Sequence, residues 1–540
     1  MSLRFSAALA AAAVLCLTAA PIPAQTSDAP SDTATPVDQD AADAPQVRLP
    51  EMADIVAAYQ AGDYVTAREG LSQLAPGGTP NAKYRYGRIL QEGRGGPRDP
   101  GQAVRWLSEA VEEDHVAAAT LLARMYMAGE GVGEDQARAA NLLQRAASQG
   151  DAEAQFLLGV GYRLGRGVPR NEETAFTWFL AAAKQQHGEA QYALSQAYAQ
   201  GLGTDEDGAR ALKWMESAAA AGVPAAQYSL ALNLDAGNGA NRNPAQALAW
   251  FRRAAEAGHP LAQRMLGTKY LHGDGVAQNG EEALRWLTAA AAAGDAGAMS
   301  NLGFAYATGT GVPADDATAF DWYQRAADRN LSRAVLVVAA FQEEGRGTPQ
   351  DLRQAVREYR RALGMGPEVA EVAAARLGLL AAQGRIDDLI APQEAAPWVA
   401  VAAQAGDAEA LSWLETQAAA GITQAQGRLG DLYLTLDGGA RGAQAVALLR
   451  QAAEAGDSFA QFRMGQLYSE GGPVEQDYVQ AHVWFNVAAT HGLSNAAEMR
   501  EVISQLMTPE QVAQAQAGAR AYFEAGAEQV PGAQDGTASE

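Results

Sequence analysis

Two glycines recur along this chain at a fixed interval of 36 residues. Gly93 and Gly95 are followed by Gly129 and Gly131, Gly165 and Gly167, Gly201 and Gly203, Gly237 and Gly239, Gly273 and Gly275, Gly309 and Gly311, and Gly345 and Gly347. Eight copies in register do not arise from composition. A period between about 20 and 50 residues marks a stacked array, in which each unit buries its apolar face only against its neighbours. The expected product is a long surface for binding.

Other positions fall into line once the units are aligned on these glycines. Alanine opens each first segment at Ala82, Ala118, Ala154, Ala190, Ala226, Ala262, Ala298 and Ala334, and eight residues later five units carry tyrosine, as at Tyr162 and Tyr306. Ala154, Leu158 and Tyr162 follow the i, i+4, i+8 spacing of one helix face. This predicts a helix A ended by the first glycine, which enters the left-handed conformation without a side-chain clash. Four residues after each second glycine stand Asp99, Asp135, Asn171, Asp207, Asn243, Asn279, Asp315 and Asp351. All are preferred N-cap types, so a helix B starts there. Its expected buried face is Ala103, Trp106 and Ala110 and their equivalents, with the tryptophans filling the space between repeats.

The pattern Ala-x-x-x-Leu-Gly-x-x-Tyr-x-x-Gly-x-Gly, then Asp or Asn, Ala, Trp-aromatic and Ala-Ala, resembles the Sel1-like repeat, a relative of the tetratricopeptide repeat. Residues 154–189 and 298–333 carry it most fully. The resemblance implies an all-α, right-handed α-solenoid of 36-residue helix-turn-helix units that serves as an adaptor or scaffold.

Outside residues 82–363, which hold eight regular units, the pattern changes. Arg4 precedes an apolar stretch from Phe5 to Ala20, followed by Pro21 and Pro23. The stretch is shorter than the roughly 20 residues of a membrane span and reads as a cleaved signal peptide over residues 1–24. Residues 25–49 are an acidic leader too poor in large apolar residues to order itself, and 50–81 read as a capping helix pair. After Leu363 the register slips, and Gly384 has no partner glycine. Residues 364–424 are degenerate repeats at which the array can bend, 425–495 hold two further repeats, and 496–528 are capping helices. In the last of these Thr508 is the N-cap before Pro509. Residues 529–540 are a disordered tail.

The formal net charge is −23, and the only cysteine is Cys16, inside the expected signal. Such acidity disfavours nucleic acid and anionic membranes. Loss of Cys16 with the signal leaves no thiol chemistry and no disulfide, and no transmembrane anchor is expected after cleavage. The glycine turns are not dinucleotide loops, because no third glycine follows at the required spacing and no strand precedes them. His115, His187 and His259 repeat every 72 residues and read as solvent-facing loop residues, too far apart to share a metal. No cofactor, metal site or catalytic residue is expected.

One constellation remains. Tetratricopeptide repeats bind ligands in a concave groove lined by helix A, and the matching positions here include Tyr84, Arg88, Arg124, Phe156, Arg163, Tyr192, Gln196, Tyr228 and Arg264. Arginine offers bidentate donors for carboxylates and tyrosine offers rigid contact area. Family resemblance adds the expectation of a non-enzymatic, periplasmic or secreted scaffold for a protein or peptide partner, such as an envelope-signalling protein or a peptidoglycan enzyme. The alternative it offers is a binder or hydrolase of cell-wall fragments or β-lactams, although this chain lacks the cysteines of such relatives.

Overall fold

The computed structural model describes residues 51–237, 242–436 and 440–528. The expected signal, acidic leader and tail, together with Gly239, lie outside them. Every regular element among the described residues is a helix. Helix A of the regular units begins at Pro80, Val116, Ala152, Gly188, Pro224, Pro260, Ala296 and Ser332, and helix B at Pro100, Gln136, Glu172, Gly208, Pro244, Gly280, Asp316 and Leu352. Each helix packs on its partner in the hairpin and on the next hairpin, which makes the array an α-solenoid.

The turn glycines do two jobs. All fifteen that are described have φ between 65° and 77°, a region costly to any residue with a Cβ. The first of each pair ends helix A. The second lies against the preceding unit: a Cβ on Gly95, Gly167 or Gly347 would stand 2.0 Å from the carbonyl oxygen of Tyr64, Gln136 or Asp316, in the first turn of the previous helix B. The Gly-x-Gly motif is therefore an inter-repeat joint as well as a turn. Helix B starts as its N-cap residues dictate, with the side chains of Asp99, Asp135, Asn171, Asp207, Asn243, Asn279, Asp315 and Asp351 each accepting a first-turn N–H.

Within a hairpin, a small residue on helix A lets helix B come close. A Cβ on Gly87, Gly159, Gly267, Gly303 or Gly465 would meet the side chain of Leu107, Phe179, Leu287, Tyr323 or Phe485 at 2.7–2.9 Å. These partners follow the tryptophan position by one residue, and they form the deep core: Leu107, Phe179, Phe251 and Leu287 are 2% exposed or less. Trp178, Trp214, Trp250 and Trp322 are only half-covered. Trp106, Trp286 and Trp484 are buried and Trp286 joins the apolar cluster of the preceding units, so tryptophan does pack between repeats, while the position after it fills the space left by the small helix A residue. Between units, Nε2 of Gln155, Gln227, Gln263, Gln426 and Gln461 donates to the carbonyl eight residues earlier at 3.0–3.2 Å. Each carbonyl already accepts the N–H of the glycine three residues on, so the buried amide adds a second bond that ties helix A to the end of the preceding helix.

From 364 onward the units depart from this plan. Helix Pro367–Ala382 pairs with helix Pro392–Gln404, and Ala408–Ala419 packs on both, and on Thr423–Thr435, without a helix B of its own. Ile386 occupies the second-glycine position after Gly384 and is fully buried. Two hairpins follow, and the chain ends with helices Ser494–Ser504 and Pro509–Glu528. Thr508 and Gln511 cap one another reciprocally.

Candidate functional site

Successive A helices approach one another more closely than successive B helices do, so helix A lines the inner, concave side. Several expected groove residues are occupied in holding one repeat to the next. Tyr84, Phe156 and Tyr228 stack on His115, His187 and His259 of the following unit, with ring centroids 4.7, 4.9 and 4.9 Å apart. These histidines are not solvent-facing loop residues. Each is the N-cap of helix A, with Nδ1 accepting the N–H of Ala118, Ala190 or Ala262 at 3.1, 3.2 and 3.3 Å. Burial pushes the His115 and His259 imidazoles below the usual histidine range. Histidine is an uncommon cap, so this role does not stand out in the sequence.

The same two positions pair differently in intervening units. Thr120 donates to Asp151 at 3.1 Å, and Arg264 faces Asp295 at 3.2 Å; both aspartates cap their own helix A. The histidines therefore alternate with other residues at one cap position: His115, Asp151, His187, His259 and Asp295 each meet a partner 31 residues upstream, whereas Val223 makes no side-chain cap. That covariation was available in the sequence.

Of the remaining candidates, Tyr192 shares a hydrogen bond of 3.0 Å with Ser229, and Gln196 is half-buried beside it on the groove. Arg163 lies over the Phe179 ring, 5.4 Å from its centroid, so its guanidinium packs toward helix B of its own unit. Arg88 bonds Glu92 at 2.7 Å. Arg124 is 60% exposed and makes a single loose pair with Glu153 at 3.7 Å. Two exposed apolar side chains that the sequence reading passed over, Leu164 and Phe304, add to the surface. Among the described residues no three His, Cys, Asp or Glu gather as a metal would require.

A charged cluster lies off the groove line at the irregular segment. Glu343 is 1% exposed, accepts from Tyr359 at 3.0 Å and from Arg376 at 2.6 and 2.7 Å, and pairs with Arg385 at 3.0 Å. Burial and the adjacent carboxylate push the Tyr359 hydroxyl well above the usual tyrosine range.

The Sel1 repeat family matches residues 80–115, 116–151, 152–187, 188–223, 224–259, 260–295, 296–331, 332–366, 423–457 and 458–493. The chain belongs to the Sel1 repeat family. Sel1 repeats mediate protein–protein interactions and are generally non-catalytic. The chain is similar to c5321, a protective antigen of uropathogenic Escherichia coli strains with an SLR fold, at 29% identity and a TM-score of 0.53, over 88% of this chain and 99% of that one. A Sel1 repeat protein from Oxalobacter formigenes is also 29% identical, over 46% of this chain and 98% of that one, with a TM-score of 0.41. No curated protein matches the chain significantly. No described helix of this Sel1-repeat chain is long and apolar enough to cross a membrane.

Proposed function

We propose that this protein is an exported, periplasmic scaffold that binds a protein or peptide along the concave face of its A helices and regulates a process of the cell envelope. The observation that carries the reading is a division of labour on that face. Tyr84, Phe156, Tyr228 and Arg264 are engaged between repeats, whereas Arg124, Leu164 and Phe304, the last with its ring beside His272, keep exposed surface on a fixed helical frame. An aromatic, an aliphatic and a guanidinium on rigid elements suit partner recognition, where such groups supply most of the binding energy. The Sel1 repeats and the likeness to a protective antigen support interaction and export respectively.

The test is crosslinking in intact cells with the full chain, followed by purification. One stoichiometric protein partner, lost on Phe304→Ala together with Arg124→Ala, supports the scaffold. Co-purifying glycan that is turned over, with no protein partner, overturns it.

A further inference from the structure

At the first end of the array a cavity of about 100 Å³ opens between the capping pair and the first repeat. Ile55, Val56, Leu71 and Ile89 give it apolar walls, and Tyr59, Arg85 and Arg88 supply its polar groups. Its size is well above the roughly 10–15 Å³ that seats one water, and so admits the end of a short side chain.

Charge in and around this cavity is unbalanced. Glu92 takes Arg88 at 2.7 Å, Arg94 at 2.8 Å and the Tyr59 hydroxyl at 3.0 Å. That leaves one carboxylate among three guanidinium groups. Arg85 has no hydrogen-bond or ion-pair partner among the described residues, and its Nε is both buried and unsatisfied. The titratable neighbour on the following unit, His115, is held toward its neutral form by burial and by Arg85 itself, and an imidazole carries no negative charge in either form. A buried donor without an acceptor is costly, and a carboxylate is the acceptor that a guanidinium binds best.

We infer that this cavity is a receptor for a carboxylate on a short aliphatic stem, a Glu or Asp side chain of the bound polypeptide, with Arg85 as the group that reads its charge. The inference rests on the scaffold reading and specifies one contact within it. Apolar walls take the methylene stem, and the Arg85 guanidinium that lines the cavity takes an oxygen. The chain's overall acidity repels acidic partners at long range, so a carboxylate needs a local excess of guanidinium groups such as this one.

The probe is the tripeptide Ac-Ala-Glu-Ala-NH2, compared with its Gln counterpart by saturation-transfer NMR on the full chain. Wild type is expected to bind the Glu peptide about tenfold more tightly, the loss typical of one charged hydrogen bond. Arg85→Met should abolish the preference, and Val56→Trp, which fills the cavity while keeping the charge, should weaken both peptides. Arg170→Met, at an exposed helix B start remote from the cavity, should change neither. Equal binding of the two peptides, no binding of either, or an unchanged preference in Arg85→Met overturns the inference; circular dichroism on each variant separates loss of binding from loss of fold. If Arg85→Met loses the tripeptide but still captures the crosslinked partner, the cavity stands and its use by that partner falls. If no partner exists but the tripeptide binds, the scaffold reading falls alone.

Discussion

The regular units and the segment after Leu363 solve the same stacking problem with different chemistry. In units 80 to 363 neighbours meet through absence of side chain: the second turn glycine presses on a backbone carbonyl at Gly95, Gly131, Gly167, Gly203 and Gly347, and alanines or glycines bring helices together. Past Leu363 the Gly-x-Gly joint is missing, and Ile386 fills the space while Glu343 ties the last regular helix A to Arg376 and Arg385 of the next unit. Even so, the largest continuous apolar cluster runs across this segment, from Leu271 to Ala445. Loss of the repeat signature is not loss of packing. It exchanges a steric register for an electrostatic one.

Breaking the electrostatic register should have the largest effect. Arg376→Ala with Arg385→Ala leaves the buried Glu343 carboxylate with Tyr359 alone, and one-sided removal of a buried pair costs about 3–5 kcal/mol. Denaturant unfolding should show it, with the loss confined to the transition that reports on residues beyond 332. Replacing the whole network, Glu343→Leu with both arginines to Leu, should cost far less, since the stranded charge is what destabilises. Equal losses from the two variants would mean that packing rather than charge holds this junction.

The steric register can be tested by two substitutions at equivalent turn positions. Gly167→Ala meets both a left-handed φ and a carbonyl 2.0 Å away, whereas Gly275→Ala meets only the φ, with nothing within 4 Å. The left-handed conformation alone costs about 1–2 kcal/mol, and overpacking adds about 1–3 kcal/mol. Thermal melts should therefore rank Gly167→Ala clearly below Gly275→Ala. If they coincide, the second glycine is there for its φ alone.

How far the sequence could be read follows the same division. A period of 36 residues exposes everything set by backbone conformation, from the αL glycines to the Asp and Asn caps, because those constraints recur in every unit. The side chain one place after tryptophan was missed, since Leu, Phe, Met and Tyr alternate there and no single letter recurs. Helix Pro392–Gln404 carries no repeat signature in the sequence, because no side-chain cap precedes it and Pro397 interrupts its interior. Groove residues were legible as positions but not as roles. Whether Tyr84 faces a ligand or a neighbour depends on His115, 31 residues away, and only the fold brings the two together.

The histidine caps sharpen the contrast between units at a smaller scale. His115 and His259 are held neutral by burial, with folded pKa values below the unfolded value of about 6.5. The unfolded chain therefore binds more protons, and stability from these groups is present above that value and lost as pH falls through the folded one. A protonated Nδ1 cannot accept the Ala118 or Ala262 N–H, so each cap should lose about 1 kcal/mol in acid. His259→Asp copies the cap of Asp295, and the variant's melting temperature should fall less than wild type's between pH 7 and pH 5. A parallel fall in both would assign the acid sensitivity to other groups.

The smallest expected effect separates a groove residue from a packing residue on the same helical face. Arg124 is 60% exposed, and its pair with Glu153 is long at 3.7 Å; exposed pairs of this kind contribute between 0 and about 1 kcal/mol. Arg124→Ala should leave the unfolding midpoint within error, and any consequence should appear only in partner binding, which salt should also weaken because exposed charges are screened over about 8–10 Å. Arg163 differs in surroundings, not in type. Its guanidinium covers the Phe179 ring, so Arg163→Ala uncovers the core side chain that meets Gly159 and should lower stability by about 0.5–2 kcal/mol with or without a partner. A stable Arg163→Ala variant that binds poorly would return this arginine to the groove, and an unstable Arg124→Ala variant would show that the exposed arginine, too, holds the repeats together.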